Sequence, residues 1–325
     1  MTTTQQRIDS GFGAQSTASD VLGGIDLTGR TALVTGGYSG LGLETTRALA
    51  HAGAQVIVPA RRRAAAQETL NDLPNTEVHE LDLAQLESVR TFSTRFLEAG
   101  RTLDIVIANA GIMACPETRV GPGWEAQFAV NHLGHYALVN LLWPAIADGG
   151  ARVVAVSSGA HHITDIRWDD IHFRTSYERW TAYGQAKTAN VLFAVGLDAR
   201  GRRSGVRAFA THPGSILTPL QRHLSRQEMV DAGWIDEDGN GVDPSFKTPE
   251  QGAATQVWAA TSPQLADRGG VYCEDCDIAR IADDSDTIPG GVQPCAIDDA
   301  AADRLWSASA DMTGFDAFGS TSFAR

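Results

Sequence analysis

The sequence predicts one α/β domain in which helices cover both faces of a doubly wound, parallel sheet of seven strands. Short apolar runs rich in β-branched residues recur along the chain, and helix-length amphipathic segments separate them. Strands buried on both faces of a parallel sheet have this nearly continuous apolar character. The seven runs are TALVTGG (31–37), AQVIVPA (54–60), TEVHELDL (76–83), LDIVIANAG (103–111), ARVVAVSSG (151–159), VRAFATHPG (206–214) and GGVYCED (269–275).

The intervening segments and the absence of a linker define the predicted domain. After the third run, Leu86, Val89, Phe92 and Phe96 recur at the spacing of one helix face. No linker-like stretch interrupts the alternation, so a single domain is predicted over residues 29–281. Residues 1–28 are expected to form a flexible tail. Residues 282–325 are expected to form a C-terminal extension whose late helix packs on the surface or on a partner.

Composition narrows the classes of function. The 325 residues carry 26 basic and 39 acidic side chains, a net charge of −13, which argues against nucleic acid and anionic membranes as partners. The first twenty residues lack the apolar core of a signal peptide, and no apolar run is long enough to span a membrane. We therefore expect a cytoplasmic protein. The four cysteines are expected to be free thiols, and no metal site is predicted because Cys273-x-x-Cys276 has no second pair.

A glycine-rich turn follows the first predicted strand. Gly36, Gly40 and Gly42 stand directly before a helix, where glycine lets the backbone approach a pyrophosphate whose charge the helix N-terminus meets. The spacing differs from the G-x-G-x-x-G dinucleotide fingerprint. Glycine is also common in structural turns between a strand and a helix. The loop alone is therefore compatible with either a nucleotide site or an ordinary turn.

The end of the second strand favours one cofactor. NAD-binding folds place an acidic residue there for the ribose hydroxyls, whereas this strand ends VIVPARRR, with Arg61, Arg62 and Arg63 in a row. Guanidinium groups suit the dianionic 2′-phosphate of NADP(H), and Arg61 is the leading contact. A solvated helix start is the alternative, although three cations oppose the dipole at that end of a helix. NADP(H) is therefore predicted, with NAD(H) as the less favoured cofactor.

One of the two lysines in the sequence lies four residues after a tyrosine. Tyr183 and Lys187 fall on the same face of a predicted helix. At an effective dielectric constant of about 20 and a separation of about 4 Å, the ammonium contributes about 4 kcal/mol, which would lower the phenol pKa by about three units. Burial opposes this shift, so the positive charge of an oxidised nicotinamide would have to assist. The result would be a phenol that exchanges a proton near pH 7.

These motifs together resemble the short-chain dehydrogenase/reductase family, and more narrowly its branch of retinol dehydrogenases and protochlorophyllide reductases. The resemblance covers residues 31 to about 280 and implies a Rossmann-like fold and an NAD(P)-dependent dehydrogenase or carbonyl reductase. The matching stretches, in the order of the family, are TGGYSGLG, LDLAQLESVR, ANAG, VNHLGHY, RVVAVSSGAH, AYGQAKTANVLF and HPGSILT.

The resemblance implies four catalytic residues. Tyr183 would be the acid/base, and Lys187 would lower its pKa while holding the nicotinamide ribose. Ser158, rather than its neighbour Ser157, would donate a hydrogen bond to the substrate oxygen. Asn131 would hold a water that connects the lysine to solvent, or would be a structural amide.

The resemblance also implies the cofactor site. Asp82 would accept a hydrogen bond from the adenine amino group, Asn109 would line the cofactor and brace the sheet, and Thr218 would reach the nicotinamide end or cap a helix. The complete implied set is Gly36, Tyr38, Ser39, Gly40, Leu41, Gly42, Arg61, Asp82, Leu83, Asn109, Ala110, Gly111, Tyr183, Lys187, Pro213, Gly214, Ile216 and Thr218.

Residues 219–248 occupy the place of the mobile substrate lid in the family. Their DEDGNG stretch resembles a calcium loop but has Lys247 where a bidentate glutamate is required, so a turn is predicted. His161 and His162 would line the pocket or be structural. A bulky apolar carbonyl or alcohol is expected as the small-molecule substrate, because aromatic residues flank the presumed pocket: Trp168, Trp180, Trp234 and Phe246.

Two other functions stay open at this stage. An NAD-preferring alcohol dehydrogenase of the same family would differ only in its cofactor. A non-catalytic NADP-binding sensor would share the glycine loop but would not need the tyrosine and lysine pair. The family often forms homo-oligomers through the helices that carry VNHLGHY and the catalytic tyrosine, which leaves the number of subunits open.

Overall fold

The computed structural model describes residues 4–283 and 290–319. Within them the strands are β1 (Thr31–Val34), β2 (Gln55–Ala60), β3 (Thr76–Glu80), β4 (Ile105–Ala108), β5 (Arg119–Val120), β6 (Trp124–Glu125), β7 (Arg152–Val156), β8 (Arg207–His212), β9 (Val271–Glu274) and β10 (Asp277–Ile278). The α-helices are α1 (Ala18–Val21), α2 (Gly40–His51), α3 (Arg63–Leu70), α4 (Leu86–Glu98), α5 (Ala126–Phe128), α6 (Gly134–Leu141), α7 (Trp143–Gly149), α8 (Arg179–Gly201), α9 (Arg226–Asp231), α10 (Pro249–Thr261) and α11 (Asp299–Thr313), and a π-helix (Ala129–Leu133) joins α5 to α6.

The main sheet confirms the predicted architecture. Its order is β3-β2-β1-β4-β7-β8-β9-β10, and the first seven of these strands are parallel. Each of the seven apolar runs contributes one of them. The strand order reverses between β1 and β4, and a ligand cleft opens at such a switch point, beyond the carboxyl ends of the strands.

The eighth strand is a short antiparallel addition that the sequence did not predict. A tight turn at Asp275 and Cys276, both with positive φ, returns the chain so that β10 pairs with β9. Two-residue turns of this hand match the twist of paired strands. Cys273 and Cys276 are buried at this hairpin, and burial raises the pKa of both thiols.

Two helical layers bury the sheet. Helices α1, α2 and α10 cover one face, where Leu49 and Trp258 are fully buried. Helices α4, α6 and α8 cover the other face, where Phe92 and Tyr136 belong to a second apolar core. Because both faces of the central strands are covered, every residue of β4 is buried.

The N-terminal segment differs from the expected flexible tail. The Gln5 side chain donates to the carbonyl oxygens of Tyr272 (2.7 Å) and Ala279 (2.6 Å) and accepts from the Tyr272 N–H, so it binds the β9–β10 hairpin. Further along, α1 buries Ala18 and Val21 against α2 and α10. The sequence did not predict this attachment, because the segment is polar. It is held by one carboxamide, that of Gln5, which makes three long-range hydrogen bonds to the backbone.

The C-terminal extension joins the core of the domain. Trp306 of α11 is 3% exposed, stacks on Phe193 with 5.9 Å between ring centroids, and meets Tyr136 edge-on at 4.9 Å. The ring of His132 in the π-helix hydrogen-bonds the Ser309 hydroxyl at 2.8 Å. Helix α11 therefore packs on the helices through which the family resemblance suggested subunit pairing.

Parts of the expected tail and extension, residues 1–3, 284–289 and 320–325, lie outside the described residues. Across residues 4–283 and 290–319, none of the helices is both long and apolar enough to cross a membrane.

Replacing Trp306 by alanine is expected to destabilise the protein by about 3–5 kcal/mol, because the neighbouring rings cannot close so large a cavity. The control is Ser307→Ala on the exposed face of the same helix, which should change stability by less than about 0.5 kcal/mol. Urea unfolding measures both changes. A Trp306→Ala variant as stable as wild type would show that α11 is not part of the cooperative core.

Candidate active site

The glycine loop lies at the switch point of the sheet. Gly36 and Gly40 have positive φ values of 66° and 51°. A Cβ on Gly42 would lie 2.3 Å from the Gly36 carbonyl oxygen and 2.6 Å from Asn109 Nδ2, so no side chain fits there. Helix α2 begins at Gly40 and directs its first N–H groups toward the cleft, an arrangement suited to an anion.

The end of β4 is fastened to the end of β1 through Thr35. Its hydroxyl accepts hydrogen bonds from the N–H groups of Asn109 and Ala110, both at 3.0 Å. Asn109 Nδ2 in turn donates to the Thr35 carbonyl oxygen at 2.9 Å. The side chain of Asn109 thus braces the two strands beside the glycine loop.

Asn131 uses its side chain as a brace. Its Oδ1 accepts from the Ile112 N–H and its Nδ2 donates to the Ile112 carbonyl oxygen, both at 2.9 Å. It also lies next to Gly111, whose added Cβ would be 3.1 Å from Asn131 Oδ1 and 3.9 Å from Lys187 Nζ. The structure therefore brings Asn131 and Lys187 to the same wall of the cleft.

His135 is a residue of this wall that sequence reasoning missed. Its Nδ1 bonds the Asn131 carbonyl oxygen at 2.9 Å and its Nε2 bonds the Thr35 hydroxyl at 2.8 Å. Burial lowers the pKa of His135 to about 4, so the ring is neutral at pH 7. The only sequence signal was a histidine four residues after Asn131 on a predicted helix, which places both on one face.

Tyr183 and Lys187 share a face of α8 and are both 4% exposed. Lys187 Nζ lies 5.5 Å from the centre of the Tyr183 ring and donates to the Val156 carbonyl oxygen at 2.9 Å. The side chains of the two adjacent serines, Ser157 and Ser158, point in different directions. Ser157 Oγ donates to the Lys187 carbonyl oxygen at 2.8 Å, whereas Ser158 Oγ accepts from the Ala160 N–H at 3.1 Å and lies close enough to Tyr183 to lower the pKa of its phenol.

The chain alone does not acidify the tyrosine, and the opposing effect of burial that the sequence analysis anticipated is the larger one. Burial raises the pKa of Tyr183 to about 12, and the hydrogen bond from Ser158 lowers it only in part. Burial also lowers the pKa of Lys187 to about 8. Removal from water outweighs the attraction between the two groups, because each is buried and the ammonium faces the ring and a carbonyl oxygen.

Three arginines lie near one another beside the cleft. Arg61 and Arg62 are exposed before α3, and Arg222 of the lid donates to the carbonyl oxygens of Pro219 (3.1 Å) and Gly111 (3.5 Å). Partial burial and the charges of Arg61 and Arg62 lower the pKa of Arg222. Arg222 was not predicted, because the proximity arises only when the lid folds over the cleft.

Two of the predicted residues, Asp82 and Leu83, follow β3. Asp82 Oδ1 accepts from the Ala84 N–H at 3.0 Å, and its own N–H donates to the Ser88 hydroxyl at 2.9 Å. The Leu83 carbonyl oxygen would lie 2.4 Å from a Cβ on Gly134. Tyr38 packs against the apolar core under α2, and Ser39 is the N-cap residue of that helix.

The loop after β8 returns toward the glycine loop. Following Pro213, Gly214 has a φ of 91°, and Ile216 and Leu41 pack on Gly252 of α10. Thr218 lies beside Gly40, and its hydroxyl accepts from the Leu220 N–H at 3.2 Å as the cap of a short helix. The alternative of a helix cap for Thr218 is therefore observed.

Three aromatic side chains form a row that runs from α8 into the lid. Trp180 meets Tyr183 at 6.3 Å between centroids, Trp234 meets Trp180 at 6.3 Å, and Phe246 meets Trp234 at 5.9 Å. An ion pair between Arg179 and Glu228 joins the start of α8 to the lid helix α9. Tyr183 also packs with apolar side chains on this side of the cleft: Met113, Ala114, Ala160, Leu220 and Leu224.

Trp168 was wrongly placed at the pocket. It packs in a separate apolar cluster with Phe128 and Leu305, and Arg304 lies over its ring at 4.2 Å. The error arose because Trp168 precedes α8 in sequence, while the chain turns toward α11 before the helix begins. The DEDGNG stretch forms the predicted turn, in which Asp236 accepts from Asn240 N–H groups at 2.7 and 3.0 Å.

Replacing Lys187 by methionine is expected to stabilise the protein at pH 7. Burial lowers the pKa of Lys187 from 10.5 to about 8, so between these values the unfolded chain binds more protons than the folded one, and stability rises with pH. At about 1.4 kcal/mol per pKa unit, the buried charge opposes folding by on the order of 1–3 kcal/mol at pH 7. Urea unfolding at pH 7 and pH 10 should show an advantage of the variant that shrinks at the higher pH.

The control for this experiment is Lys247→Met. Lys247 is also buried but pairs with Asp275 at 2.5 Å, so removing its charge should not stabilise the protein. An advantage of Lys187→Met that is equal at both pH values would contradict the assigned burial penalty.

Comparison with known proteins agrees with this geometry. A sequence model of the short chain dehydrogenase family matches residues 30–229. A "Probable oxidoreductase" of Streptomyces lividans is 48% identical over 296 residues, covering 88% of this chain and 98% of that protein. Human retinol dehydrogenase 14 is 35% identical over 311 residues, covering 88% of this chain and 87% of its own length.

Solved structures show the same fold. An uncharacterised protein from Mycobacterium paratuberculosis superposes with a TM-score of 0.71 at 32% identity, covering 94% of this chain and 99% of its own. The NADP complex of RhlG from Pseudomonas aeruginosa superposes with a TM-score of 0.60 at 25% identity, covering 77% and 96%. The chain belongs to the short chain dehydrogenase/reductase family, in its retinol dehydrogenase-like branch, and is an NAD(P)-dependent oxidoreductase of that family.

Proposed function

We propose that the protein is an NADP(H)-dependent oxidoreductase that interconverts a ketone or aldehyde and an alcohol, with Tyr183 as the acid/base. The observation that carries this proposal is the cluster of Tyr183, Ser158 and Lys187 at the carboxyl edge of the sheet, beside the glycine loop. The cleft suits a dinucleotide because Gly42 admits no side chain and α2 offers its N-terminus.

The side chains divide the work of carbonyl reduction. When bound, the nicotinamide supplies or accepts the hydride. Tyr183 carries its proton at neutral pH, since burial raises its pKa to about 12, and its hydroxyl is the group that gives that proton to the substrate oxygen. Ser158 holds the same oxygen by a hydrogen bond that strengthens as negative charge develops.

Lys187 and Asn131 support the reverse proton movement. Lys187 Nζ, fixed on the Val156 carbonyl oxygen, places positive charge beside the phenol. Asn131 fixes the Ile112 backbone at the same wall of the cleft. In this proposal that bond holds open the route by which a proton passes between Lys187 and solvent. Oxidation of an alcohol needs the phenolate, so the positive charge of the oxidised cofactor must add to that of Lys187.

The substrate class follows from the lining of the cleft. Met113, Leu220 and Leu224 pack around Tyr183, and the aromatic row begins at Trp180. Such a surface favours a bulky apolar carbonyl compound over a small polar one, because apolar area is removed from water on binding.

Phenylalanine at position 183 is expected to abolish turnover. Purified protein mixed with NADPH and a panel of aromatic and alicyclic ketones would be followed at the nicotinamide absorbance. Tyr183→Phe removes the proton that the reaction needs and should lower kcat by a factor of about 10² to 10⁴, with the Kd of NADPH within about twofold of wild type. A variant that kept most of the wild-type rate would refute the acid/base assignment, and activity confined to small polar sugars would refute the substrate class.

Replacing Arg61 by alanine should weaken the binding of NADPH without weakening the binding of NADH. A charge-assisted hydrogen bond to the 2′-phosphate contributes about 1.5–3 kcal/mol, so Arg61→Ala should raise the KM for NADPH by about 10- to 100-fold. Arg203→Ala is the control, because it removes the same charge from an exposed turn that leads into the amino end of β8. Equal changes for both nicotinamides would favour the NAD-dependent alternative.

A further inference from the structure

The C-terminal extension returns to the loop that carries Ser158. Its residues 290–297, here called the strap, pair with the chain after β10 through a parallel bridge between Ile281 and Val292. The strap then meets two histidines of the short helix that follows Ser158. His162 Nε2 bonds the Gly291 carbonyl oxygen at 3.2 Å, and Gln293 Nε2 donates to His162 Nδ1 at 2.8 Å.

His161 joins the strap to Ser158 through both of its ring nitrogens. Nδ1 lies 2.7 Å from the Ser158 carbonyl oxygen, which can only accept, so Nδ1 carries the proton. Nε2 lies 3.2 Å from the Gln293 backbone nitrogen, which can only donate, so Nε2 is the acceptor. The two partners therefore select one tautomer and one orientation of the ring.

The surroundings of His161 keep the ring neutral and immobile. It is 1% exposed, and burial lowers its pKa to about 4. The Tyr272 ring packs on it at 4.8 Å between centroids, and the Thr188 hydroxyl of α8 donates to its carbonyl oxygen at 3.2 Å. A protonated ring could not accept from Gln293, so the link exists in the neutral form.

We propose that the strap positions Ser158 for the reaction, through His161. The inference rests on the proposed role of Ser158 as the donor to the substrate oxygen. Gln293 N–H orients the imidazole, and the imidazole N–H holds the Ser158 carbonyl group. The Ser158 hydroxyl accepts from the Ala160 N–H at 3.1 Å, so its direction follows the backbone that His161 fixes.

The hydrogen bonds from Gln293 to His161 and from His161 to Ser158 also explain why a histidine is buried at position 161. An apolar side chain of similar size would fill the same space, but it would leave the Gln293 N–H and the Ser158 carbonyl oxygen without their partners. His161 satisfies both groups at once, and it stands three residues after Ser158 and more than a hundred before Gln293. His161 is a positioning residue, since among the described residues it makes a hydrogen bond to neither Tyr183 nor Lys187, and its one tyrosine partner is Tyr272, whose hydroxyl lies 3.5 Å from Nδ1.

Proline at position 293 tests the link directly. Gln293 has a φ of −64°, which proline adopts, and the preceding Val292 is extended in its bridge, as a residue before proline prefers. The substitution removes the N–H and crowds the ring with the proline Cδ. Gln293→Ala is the matched control, because it keeps the N–H and loses only the carboxamide bond to His162.

The expected result is a loss of kcat without a loss of cofactor binding. Gln293→Pro should lower kcat about tenfold, since small displacements of reacting groups have effects of this size or larger. The Kd of NADPH should stay within about twofold, and the deuterium isotope effect on kcat with 4-deuterated NADPH should increase as the chemical step slows. Gln293→Ala should stay within about twofold of wild type in all three measurements. Wild-type kcat in Gln293→Pro, or an equal loss in Gln293→Ala, would overturn the proposal.

A second variant keeps the test decisive if Gln293→Pro does not fold. His161→Asn keeps a donor near the position of Nδ1 but cannot reach the strap, so it should also lose about tenfold in kcat at an unchanged Kd of NADPH. In that background Gln293→Pro should cause no further loss, because the contact is already absent. Independent, multiplying losses, or unchanged kcat in His161→Asn, would overturn the link.

Ser158→Ala distinguishes the proposed role of Ser158 in the reaction from the proposed positioning of Ser158 by the strap. If Ser158→Ala kept the wild-type rate, the proposed role of Ser158 would fail, whatever the strap does. If Ser158→Ala lost turnover while Gln293→Pro and His161→Asn did not, only the positioning by the strap would be wrong.

Discussion

The cleft depends on the close backbone approach between the first turn of α2 and the loop that follows β1. Gly42 lies so near the Gly36 carbonyl oxygen and the Asn109 carboxamide that a single added carbon would collide with both. The approach sets where the α2 N-terminus points, and Asn109 transmits it to Thr35. Through the Thr35 hydroxyl, the end of β4 and the ring of His135 take their positions from the same turn. One steric constraint therefore aligns the glycine loop with the wall of the cleft that carries Asn131.

Burial then determines the electrostatics of the other end. Taking Tyr183 and Lys187 out of water moves their two pKa values apart, because burial raises the pKa of the phenol to about 12 and lowers that of the ammonium to about 8. In the proposed reaction this arrangement retains the proton on oxygen until a charged cofactor is present. A phenol made acidic by the chain alone would ionise in the empty cleft. Dependence on the cofactor charge instead couples proton transfer to the state of the nicotinamide.

The features that could be predicted from the sequence are those that depend on residues close together along the chain. The seven parallel strands follow from continuous apolar runs, and the common face of Tyr183 and Lys187 follows from helical spacing. Contacts between distant segments leave no such pattern. Gln5 binds a strand 267 residues away with a single polar side chain, and Arg222 nears Arg61 only through the fold of the lid. Spacing likewise gives the distance from Tyr183 to a charge but not the extent of its burial, which in the chain alone raises the phenol pKa to about 12.

The extension shows how such long-range contacts reach the candidate site. Trp306 completes the apolar core on α8, the helix that carries Tyr183 and Lys187, while the strap closes over the loop that carries Ser158. Both attachments bring residues from beyond position 290 to elements that end before position 202. Because a buried hydrogen bond such as that of His161 is strong only when water is excluded, the strap bond and the packing of α11 support one another. Residues beyond position 290 therefore contact both the helix that carries Tyr183 and the loop that carries Ser158, and in the proposed link the direction of the serine hydroxyl depends on them.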